Sequence, residues 1–292
     1  MSSVKPSALP REKNRVEAGT LYLVATPIGN LADLSERAVK VLSEVDFIAA
    51  EDTRNSMRLL THLDIHKPMV SYFEHNKRER GEQIAQRLEA GESCALVTDA
   101  GTPAISDPGE DLVALCAQRG IKVSSVPGPV ASITAITLSG LPTGRFTFEG
   151  FLSTNKSERR ERLEELKTER RTMLFHEAPH KLRATLKDLR AAFGADRRVA
   201  ICRELTKLNE EILRLTLSQA EDYYENTEPR GEYVLVIEGA TAIEKAVAFW
   251  QDMDIPAHVE HYVAGGMSKM EAIKLVAKER GLPKNEVYKE MV

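Results

Sequence analysis

Residues Leu21-Tyr-Leu-Val-Ala-Thr-Pro-Ile-Gly-Asn30 contain an apolar run that is followed at once by a loop rich in Pro, Gly and Asn. After this loop, apolar residues recur at helical spacing between Leu34 and Val45, with Asp33 or Ser35 as the capping residue. The order strand, loop, helix repeats from the apolar runs 47–50, 95–98 and 122–126. Short apolar strands that alternate with helices are typical of a parallel sheet covered on both faces. We therefore predict a parallel α/β domain over residues 19–140.

The segment Ser139-Gly-Leu-Pro-Thr-Gly144 interrupts this alternation and predicts a linker. Five strands are predicted beyond it: Arg145–Phe151, Thr172–His176, Arg198–Arg203, Glu211–Leu217 and Tyr233–Ile237. Highly charged helices over 156–169 and 180–192 separate the first three strands, whereas no long helical pattern joins the last three. Because this favours hairpins, we predict an α+β domain with a mixed sheet over residues 145–240.

The two ends of the chain differ from these domains. Residues 1–18 show no periodicity and predict a flexible arm. Residues 241–292 predict a helical module, with helices near 242–252, 268–280 and 285–291 and a turn at Gly281. This order fits either a nucleic-acid-binding helix-turn-helix or a packing module, and the pattern leaves both interpretations open.

Composition narrows the class of protein. Hydrophobic residues make up 42% and charged residues 29% of the 292 residues, which is typical of a folded globular chain. The N-terminus lacks the apolar segment of a secretory signal and no stretch suits a membrane span, so we expect a cytoplasmic protein without membrane contact. Three widely separated cysteines favour buried thiols, and no histidine spacing suits a metal site.

The net charge of −4 gives no reason by itself to expect a nucleic-acid partner. The distribution is uneven, however, because residues 145–214 carry 17 Lys and Arg against 12 Asp and Glu. A local excess of this size fits either an ordinary solvated face or electrostatic docking.

Loops suited to ligand binding follow the predicted strands of the first domain: Thr26-Pro-Ile-Gly-Asn30, Glu51-Asp-Thr-Arg54, Asp99-Ala-Gly-Thr-Pro103 and Pro127-Gly-Pro129. In an open α/β sheet the carboxyl ends of the strands form the crevice where ligands bind. Neither a GxGxxG nor a P-loop motif is present, so a dinucleotide or a triphosphate is not supported. Asp99 is either a ligand contact or a loop-capping residue. In the second domain, Glu177, Glu204 and Lys207 follow strands, either as site residues or as ordinary loop charges.

Six motifs follow one another at the spacing of a single family: Val24-Ala-Thr-Pro-Ile-Gly-Asn-Leu-Ala-Asp33, Ala50-Glu-Asp-Thr-Arg54, Thr98-Asp-Ala-Gly-Thr-Pro-Ala-Ile-Ser-Asp-Pro-Gly109, Val126-Pro-Gly-Pro129, Phe175-His-Glu-Ala-Pro-His180 and Arg203-Glu-Leu-Thr-Lys207. From about Thr20 to Gly239, the chain resembles the tetrapyrrole methylase-like S-adenosylmethionine enzymes, and among them the family that methylates small-subunit ribosomal RNA. The resemblance implies two α/β domains with S-adenosylmethionine in the cleft between them, and a homodimer. It also implies methylation of a cytidine 2′-hydroxyl in the decoding region of 16S ribosomal RNA.

Carried over by position, the resemblance implies a cofactor pocket formed by Ile28, Asp99, Gly101, Thr102, Ser132, Ile133, Phe175, His176 and the turn Arg230-Gly231. Three positions depart from the usual residue of the family: His176 stands where Tyr is frequent, Lys181 where Arg is frequent, and Arg230 where Lys is usual. The first changes what the side chain can contact in the pocket. The other two keep the positive charge but alter its geometry.

For such a transfer, the chain must mainly align the 2′-oxygen with the S–CH₃ bond and ease the removal of its proton. Glu177, Glu204 and Lys207 are the candidate catalytic residues, and no spacing rule selects among them. Lys207 would serve as a base only if it were unprotonated. Two alternative functions stay open: methylation of a small molecule of the tetrapyrrole type, and RNA binding in ribosome assembly without turnover.

Overall fold

The computed structural model describes residues 15–241, 250 and 253–291. They fall into two compact units, one that ends at Gly239 and one that starts at Ala240. The first unit contains two five-stranded sheets. The predicted α/β fold class is therefore confirmed.

The first sheet is parallel throughout, as predicted, with the strand order β3-β2-β4-β1-β5. Its strands are β1 (Thr20–Val24), β2 (Phe47–Ala50), β3 (Met69–Ser71), β4 (Cys94–Val97) and β5 (Lys122–Val126). The helices between and after them are α1 (Glu36–Glu44), α2 (Thr53–His62), α3 (Lys77–Glu89), α4 (Gly109–Gln118) and α5 (Ala131–Ser139). All residues of β2 and β4 are buried, which explains their continuously apolar sequences.

A capping residue marks the start of α1, whereas one strand and one helix of this domain were not predicted. The hydroxyl of Ser35 accepts a hydrogen bond from the N–H of Ala38 and caps α1. The unpredicted strand β3 has only three residues and lies at the sheet edge. The unpredicted helix α3 is strongly polar and contains Gly81, which packs against the Tyr72 ring. Neither element has the long apolar pattern that identifies its neighbours.

The second sheet is mixed, with the order β6-β7-β10-β8-β9; β6 and β7 are parallel and the remaining pairs antiparallel. Its strands are β6 (Phe146–Gly150), β7 (Thr172–Glu177), β8 (Arg198–Arg203), β9 (Glu211–Thr216) and β10 (Tyr233–Ile237). Its helices are α6 (Lys156–Glu165), α7 (Leu182–Phe193) and α8 (Leu217–Asn226). Helix α6 is shorter than predicted because a 3₁₀ turn, Leu166–Thr168, follows it.

The prediction that hairpins join the last three strands was wrong for β9 and β10. Helix α8 lies between them in the chain, and β10 inserts between β7 and β8. Thr216 and Gln219 form a capping box at the start of α8, and Leu217 and Tyr224 bury its inner face. The spacing of Thr216 and Gln219 is the sequence signal that identifies this helix.

The two faces of the second sheet have different neighbours. Met173 and Phe175 of β7 belong to the core that includes residues of α6, α7 and α8. Leu174, on the opposite face, packs with Ala135 and Ile136 of α5. The helix that follows the first sheet therefore covers one face of the second, and this contact brings the loops of both sheets together.

The second unit contains α9 (Ile255–Ala264), α10 (Lys269–Arg280) and α11 (Lys284–Lys289). Val259, Ile273 and Val287 share its core, and Gly281 adopts a left-handed conformation, with φ of 65°, in the turn between α10 and α11. Helix α9 was not predicted. The helix predicted over 242–252 and most of the arm predicted over 1–18 lie outside the described residues. None of the helices in the described part of the chain is long and apolar enough to cross a membrane.

Candidate active site

Three loops at the carboxyl edge of the first sheet are hydrogen-bonded into one rim. Thr26 and Gly101 exchange backbone hydrogen bonds, with N–H to C=O distances of 2.9 and 3.1 Å. The hydroxyl of Thr102 donates to the carbonyl of Pro129 at 3.0 Å. Gly101 has φ of 84°, and a Cβ there would lie 3.3 Å from Cγ2 of Ile28. The structure thus brings the predicted residues Ile28, Gly101 and Thr102 together.

Asp99 lies exposed on the same rim and connects it to the loop after β2. Its carboxylate accepts hydrogen bonds from the N–H of Asp52 at 3.2 Å and from the amide of Asn55 at 3.4 Å. Asp99 therefore acts as a loop-capping residue, and its exposed position also suits a ligand contact.

The loop before α5 completes the rim. Gly128 lies so close to β1 that a Cβ there would be 2.8 Å from the Cβ of Ala25, which requires glycine. In the first turn of α5, Ser132 is buried and Ile133 is exposed. Backbone geometry and close packing, rather than charged side chains, thus shape this side of the site.

The end of β7 directs consecutive side chains to opposite faces of the second sheet. Phe175 is fully buried in the core beneath α7, so only its backbone can face the cleft. Glu177 is also buried; one carboxylate oxygen accepts from the N–H of Ala178 at 2.8 Å and the other from the Thr185 hydroxyl of α7. The structure therefore places the predicted catalytic candidate Glu177 away from the face that carries His176.

His176 packs edge-on between two aromatic rings, with ring centroids 5.1 Å from Phe148 and 5.4 Å from Phe151. Burial lowers its pKa, so the imidazole is neutral near pH 7. Its Nε2 atom is buried and has no hydrogen-bond partner among the described residues. An unpaired buried polar atom is costly, and a ligand that binds here can satisfy it.

A charged cluster, Glu204, Lys207 and Glu232, lies where β8 ends and β10 begins. The Lys207 ammonium donates to Glu204 and Glu232, each at 2.8 Å, and the N–H of Glu232 donates to Glu204 at 3.0 Å. Burial alone would raise the pKa of Glu204, but these hydrogen bonds hold it below its usual value. Burial alone would lower the pKa of Lys207, but the two carboxylates raise it. Glu204 is therefore ionised and Lys207 protonated at neutral pH.

The charged cluster reaches the rim of the first sheet. A Cβ at Gly29 would overlap Cγ of Lys207, so the lysine stem crosses directly over the first loop. A Cβ at Gly231, whose φ is 80°, would lie 2.5 Å from the carboxyl carbon of Glu204. The hydroxyl of Thr206 is buried and has no partner among the described residues. A sequence motif identifies Glu204 and Lys207, and the family resemblance identifies Gly231. Thr206 lies within the same motif but was not singled out, and Glu232, which lies in no motif, was missed.

Backbone strain is concentrated in the same loops. Five described non-glycine residues have positive φ, and four of them lie in two loops of the site: Ala104, Ser106, Glu204 and Thr206. Strained residues persist only where the surrounding structure holds them in place, and they are concentrated at functional sites. No group of metal-ligating side chains was found among the described residues.

Comparisons with known proteins identify the family of this chain. Residues 20–221 match the model of the tetrapyrrole (corrin/porphyrin) methylases. A protein named ribosomal RNA small subunit methyltransferase I from Halalkalibacterium halodurans is 48% identical, over 94% of this chain and 96% of that protein. One of the same name from Synechocystis is 45% identical, over 92% and 96% of the two chains.

Solved structures share the fold at low sequence identity. A diphthine synthase matches with a TM-score of 0.59 and 15% identity, over 76% of this chain and 90% of that one. A uroporphyrin-III C-methyltransferase from Thermus thermophilus, complexed with S-adenosylhomocysteine, matches with a TM-score of 0.53 and 18% identity, over 75% and 97%. The family match and the close relatives together assign the chain. It belongs to the tetrapyrrole methylase family and, within it, to the ribosomal RNA small subunit methyltransferase I family.

Proposed function

We propose that this protein transfers a methyl group from S-adenosylmethionine to the 2′-hydroxyl of a cytidine in the decoding region of 16S ribosomal RNA. The supporting observation is the identity of 45–48% to relatives named for small-subunit ribosomal RNA, over more than nine-tenths of both chains. The solved small-molecule methyltransferase reaches only 18% identity, which favours the ribosomal substrate over a tetrapyrrole.

The rim of the first sheet and the face of β7 fit the cofactor. Glycines at the rim allow close approach of the backbone, as at Gly101 and Gly128, and the neutral His176 offers an unpaired nitrogen. S-adenosylmethionine supplies a methyl group that its sulfonium already activates. We infer that Ile28, Asp99, Gly101 and Thr102, with Ser132, Ile133, the Phe175 backbone, His176 and Gly231, hold it there.

The charged cluster is the best candidate to handle the ribose proton. The ionised Glu204 can accept it, while the protonated Lys207 stabilises the negative charge that develops on the 2′-oxygen. Lys207 does not serve as the base in this arrangement, because its raised pKa keeps it protonated. Since the lowered pKa of Glu204 makes it a weak base, alignment of the 2′-oxygen must supply most of the rate enhancement.

The experiment that tests this function uses small ribosomal subunits from cells that lack the gene. The purified protein and S-adenosylmethionine labelled in the methyl group are added, and nuclease digestion with mass spectrometry locates the label. We expect one 2′-O-methylcytidine in 16S RNA. A label on a base, on another ribose or on a small molecule would contradict the proposal, and absence of transfer would favour a binding factor without turnover.

We also propose that the protein is a homodimer and acts in the cytoplasm. The first follows from the family resemblance, and the second from the location of ribosomal subunits in bacterial cells such as those of the relatives. Sedimentation equilibrium of the purified chain tests the dimer; a monomer at the concentration used in the methylation assay would contradict it.

A further inference from the structure

A second concave site lies beside the charged cluster. It is a cavity of about 410 Å³ between the end of α8 and the turn that leads into β10. Tyr223, Tyr224 and Tyr233 line it, and we call it the tyrosine pocket. Tyr224 and Tyr233 belong to the core beneath α8, on the sheet face opposite Leu174 and α5. The proposed methyl transfer does not use this pocket.

Ring packing and hydrogen bonds hold the aromatic wall of the tyrosine pocket. The Tyr224 ring is buried and meets the rings of Tyr223 and Tyr233 edge-on, at centroid distances of 5.0 and 5.9 Å. Arg183 fixes the end of α8 by donating to the carbonyls of Tyr224 at 2.7 Å and Thr227 at 3.3 Å. Tyr223, at 38% exposure, is open to a ligand. A fixed, exposed aromatic ring is a platform on which unpaired nucleobases stack.

The charges that line the tyrosine pocket cancel in pairs. Arg203 lies 3.3 Å from Glu211, and Arg230 lies 2.7 Å from Glu228. A pocket without excess charge does not select an isolated anion. A flat, neutral group with polar edges fits better, and the carboxamide of Asn226 in the lining can form hydrogen bonds with such edges. The volume lies within the range of about 300–1,000 Å³ that is usual for small-ligand sites.

The tyrosine pocket and the charged cluster lie on opposite faces of the second sheet, at the same end of β8 and β10. Arg203, which lines the pocket, directly precedes Glu204, and its Nε donates to the carbonyl of Arg230 at 2.8 Å. The next residue, Gly231, packs against the Glu204 side chain. A polymer with one ribose at the charged cluster can pass around this edge of the sheet and place a nearby nucleotide at the pocket.

We propose that the tyrosine pocket binds an unstacked nucleobase of the substrate RNA, from a nucleotide near the methylated one, with the base against Tyr223. This inference rests on the proposed function. It assigns the pocket a role in selecting the RNA, separate from cofactor binding and from the handling of the proton.

The test compares Tyr223→Ala with Phe146→Ala, which removes an aromatic ring of the same 38% exposure at the start of β6. Since Tyr223→Ala removes the stacking of one base, it is expected to raise KM for small subunits roughly 5- to 100-fold. Tyr223→Phe retains the ring and is expected to stay within about twofold of wild type. The affinity for S-adenosylmethionine, measured by calorimetry, is expected to be unchanged in all three variants.

Equal KM values for Tyr223→Ala and Phe146→Ala would overturn the proposal and leave the proposed function intact. A second measurement does not depend on turnover: anisotropy of a fluorescent single-stranded RNA that carries the decoding-region sequence. Weaker binding by Tyr223→Ala and by the exposed variant Asn226→Ala, with wild-type binding by Tyr223→Phe, supports the pocket. Equal binding by all variants overturns it. Absence of methyl transfer by the wild-type protein, by contrast, would contradict the proposed function.

Discussion

The two sheets contribute to the site in opposite ways. The first sheet is parallel, and its loops present backbone: Gly101 and Gly128 allow close approach, and the backbone bonds between Thr26 and Gly101 hold the rim together. The second sheet is mixed, and its loops present the ionised side chains of Glu204 and Lys207. We propose a division of work in which the first sheet supplies most of the cofactor contacts, β7 and Gly231 supply the rest, and the loop after β8 handles the proton. Substitutions should therefore separate the two.

The largest effect is expected for Lys207→Met. The protonated amine lies between Glu204 and Glu232, and its loss removes the positive charge from the candidate transition-state site. Single-turnover methyl transfer should fall roughly 10²- to 10⁴-fold, with S-adenosylmethionine affinity nearly unchanged. Glu204→Gln should have a similar effect if this carboxylate accepts the proton.

The matched control is Lys40→Met, which breaks the exposed ion pair between Lys40 and Glu44 on α1. It should leave the rate at the wild-type level. A proportional loss of cofactor affinity in Lys207→Met would make Lys207 a cofactor-binding residue instead, and the proposed division between the sheets would fail.

Asp99→Ala tests the other side of the comparison. A hydrogen bond to a charged group contributes about 1.5–3 kcal/mol, so removal of one such bond to the cofactor should weaken S-adenosylmethionine binding roughly 10- to 100-fold. At saturating cofactor, the methyl-transfer rate should recover. Isothermal titration calorimetry measures the first quantity and single-turnover kinetics the second.

Asp33→Ala is the control, since Asp33 is an exposed carboxylate that follows the first loop of the same rim. An unchanged dissociation constant for Asp99→Ala would show that Asp99 does not bind the cofactor and serves only to hold the loop through its hydrogen bonds from Asp52 and Asn55.

Strands were the most predictable elements from sequence: all five strands of the second sheet were predicted to within one residue at each end, whereas β3 of the first sheet was missed. In the first sheet, β2 and β5 were predicted with their observed ends, and β1 and β4 differ by one residue at each end. Burial makes β2 and β4 continuously apolar, whereas β5 is an edge strand that is only partly buried and contains polar residues. Helix α8 was missed because its exposed face is polar, so that only the capping box marks its start. Short or polar elements do not carry the apolar signal on which the prediction depended.

The site was predictable only in part, for a geometric reason. The motifs identified the loops, but alternation along β7 places Phe175 and Glu177 on one face and His176 on the other. Which face borders the cleft depends on the packing of Ala135 and Ile136 of α5 against Leu174, a long-range contact that no local pattern encodes. Glu232 was missed for a similar reason: it is distant from Lys207 in the chain, and the pairing of β8 with β10 brings the two side chains together.

Glu177→Gln sharpens the contrast between the two faces of β7. The carboxylate is buried and accepts from Ala178 N–H and the Thr185 hydroxyl, so its loss should lower the free energy of unfolding by about 1–3 kcal/mol. Methyl transfer by the folded variant should remain at the wild-type rate. Urea denaturation and single-turnover kinetics check the two expectations, and a rate loss of about 10²-fold or more would return Glu177 to the catalytic candidates.

A smaller effect is expected from the second unit. Lys269, Lys274 and Lys278 are exposed on α10, whereas Ile273 and Val276 face its core. If these lysines bind phosphates, replacing all three with Gln should weaken subunit binding and make its salt dependence shallower, by roughly 0.7–0.9 in log–log slope for each phosphate that is no longer neutralised. Lys40→Gln is a single-site control. An unchanged slope would support the packing interpretation of this module.

The smallest effect concerns His176 and pH. Because burial lowers its pKa in the folded chain below the ordinary value of 6.5, the unfolded chain binds more protons than the folded chain between the two pKa values. The contribution of this group to stability is therefore present above about pH 6.5 and is lost as the pH falls through this window, by about 1.4 kcal/mol for each unit that separates the two pKa values. His176→Phe should remove this dependence, since phenylalanine does not titrate. His66→Gln, which alters an exposed histidine beside Asp64, should not. Urea denaturation of the three proteins between about pH 5 and pH 8 checks this, and parallel curves for wild type and His176→Phe would show that the imidazole is not held neutral in the fold.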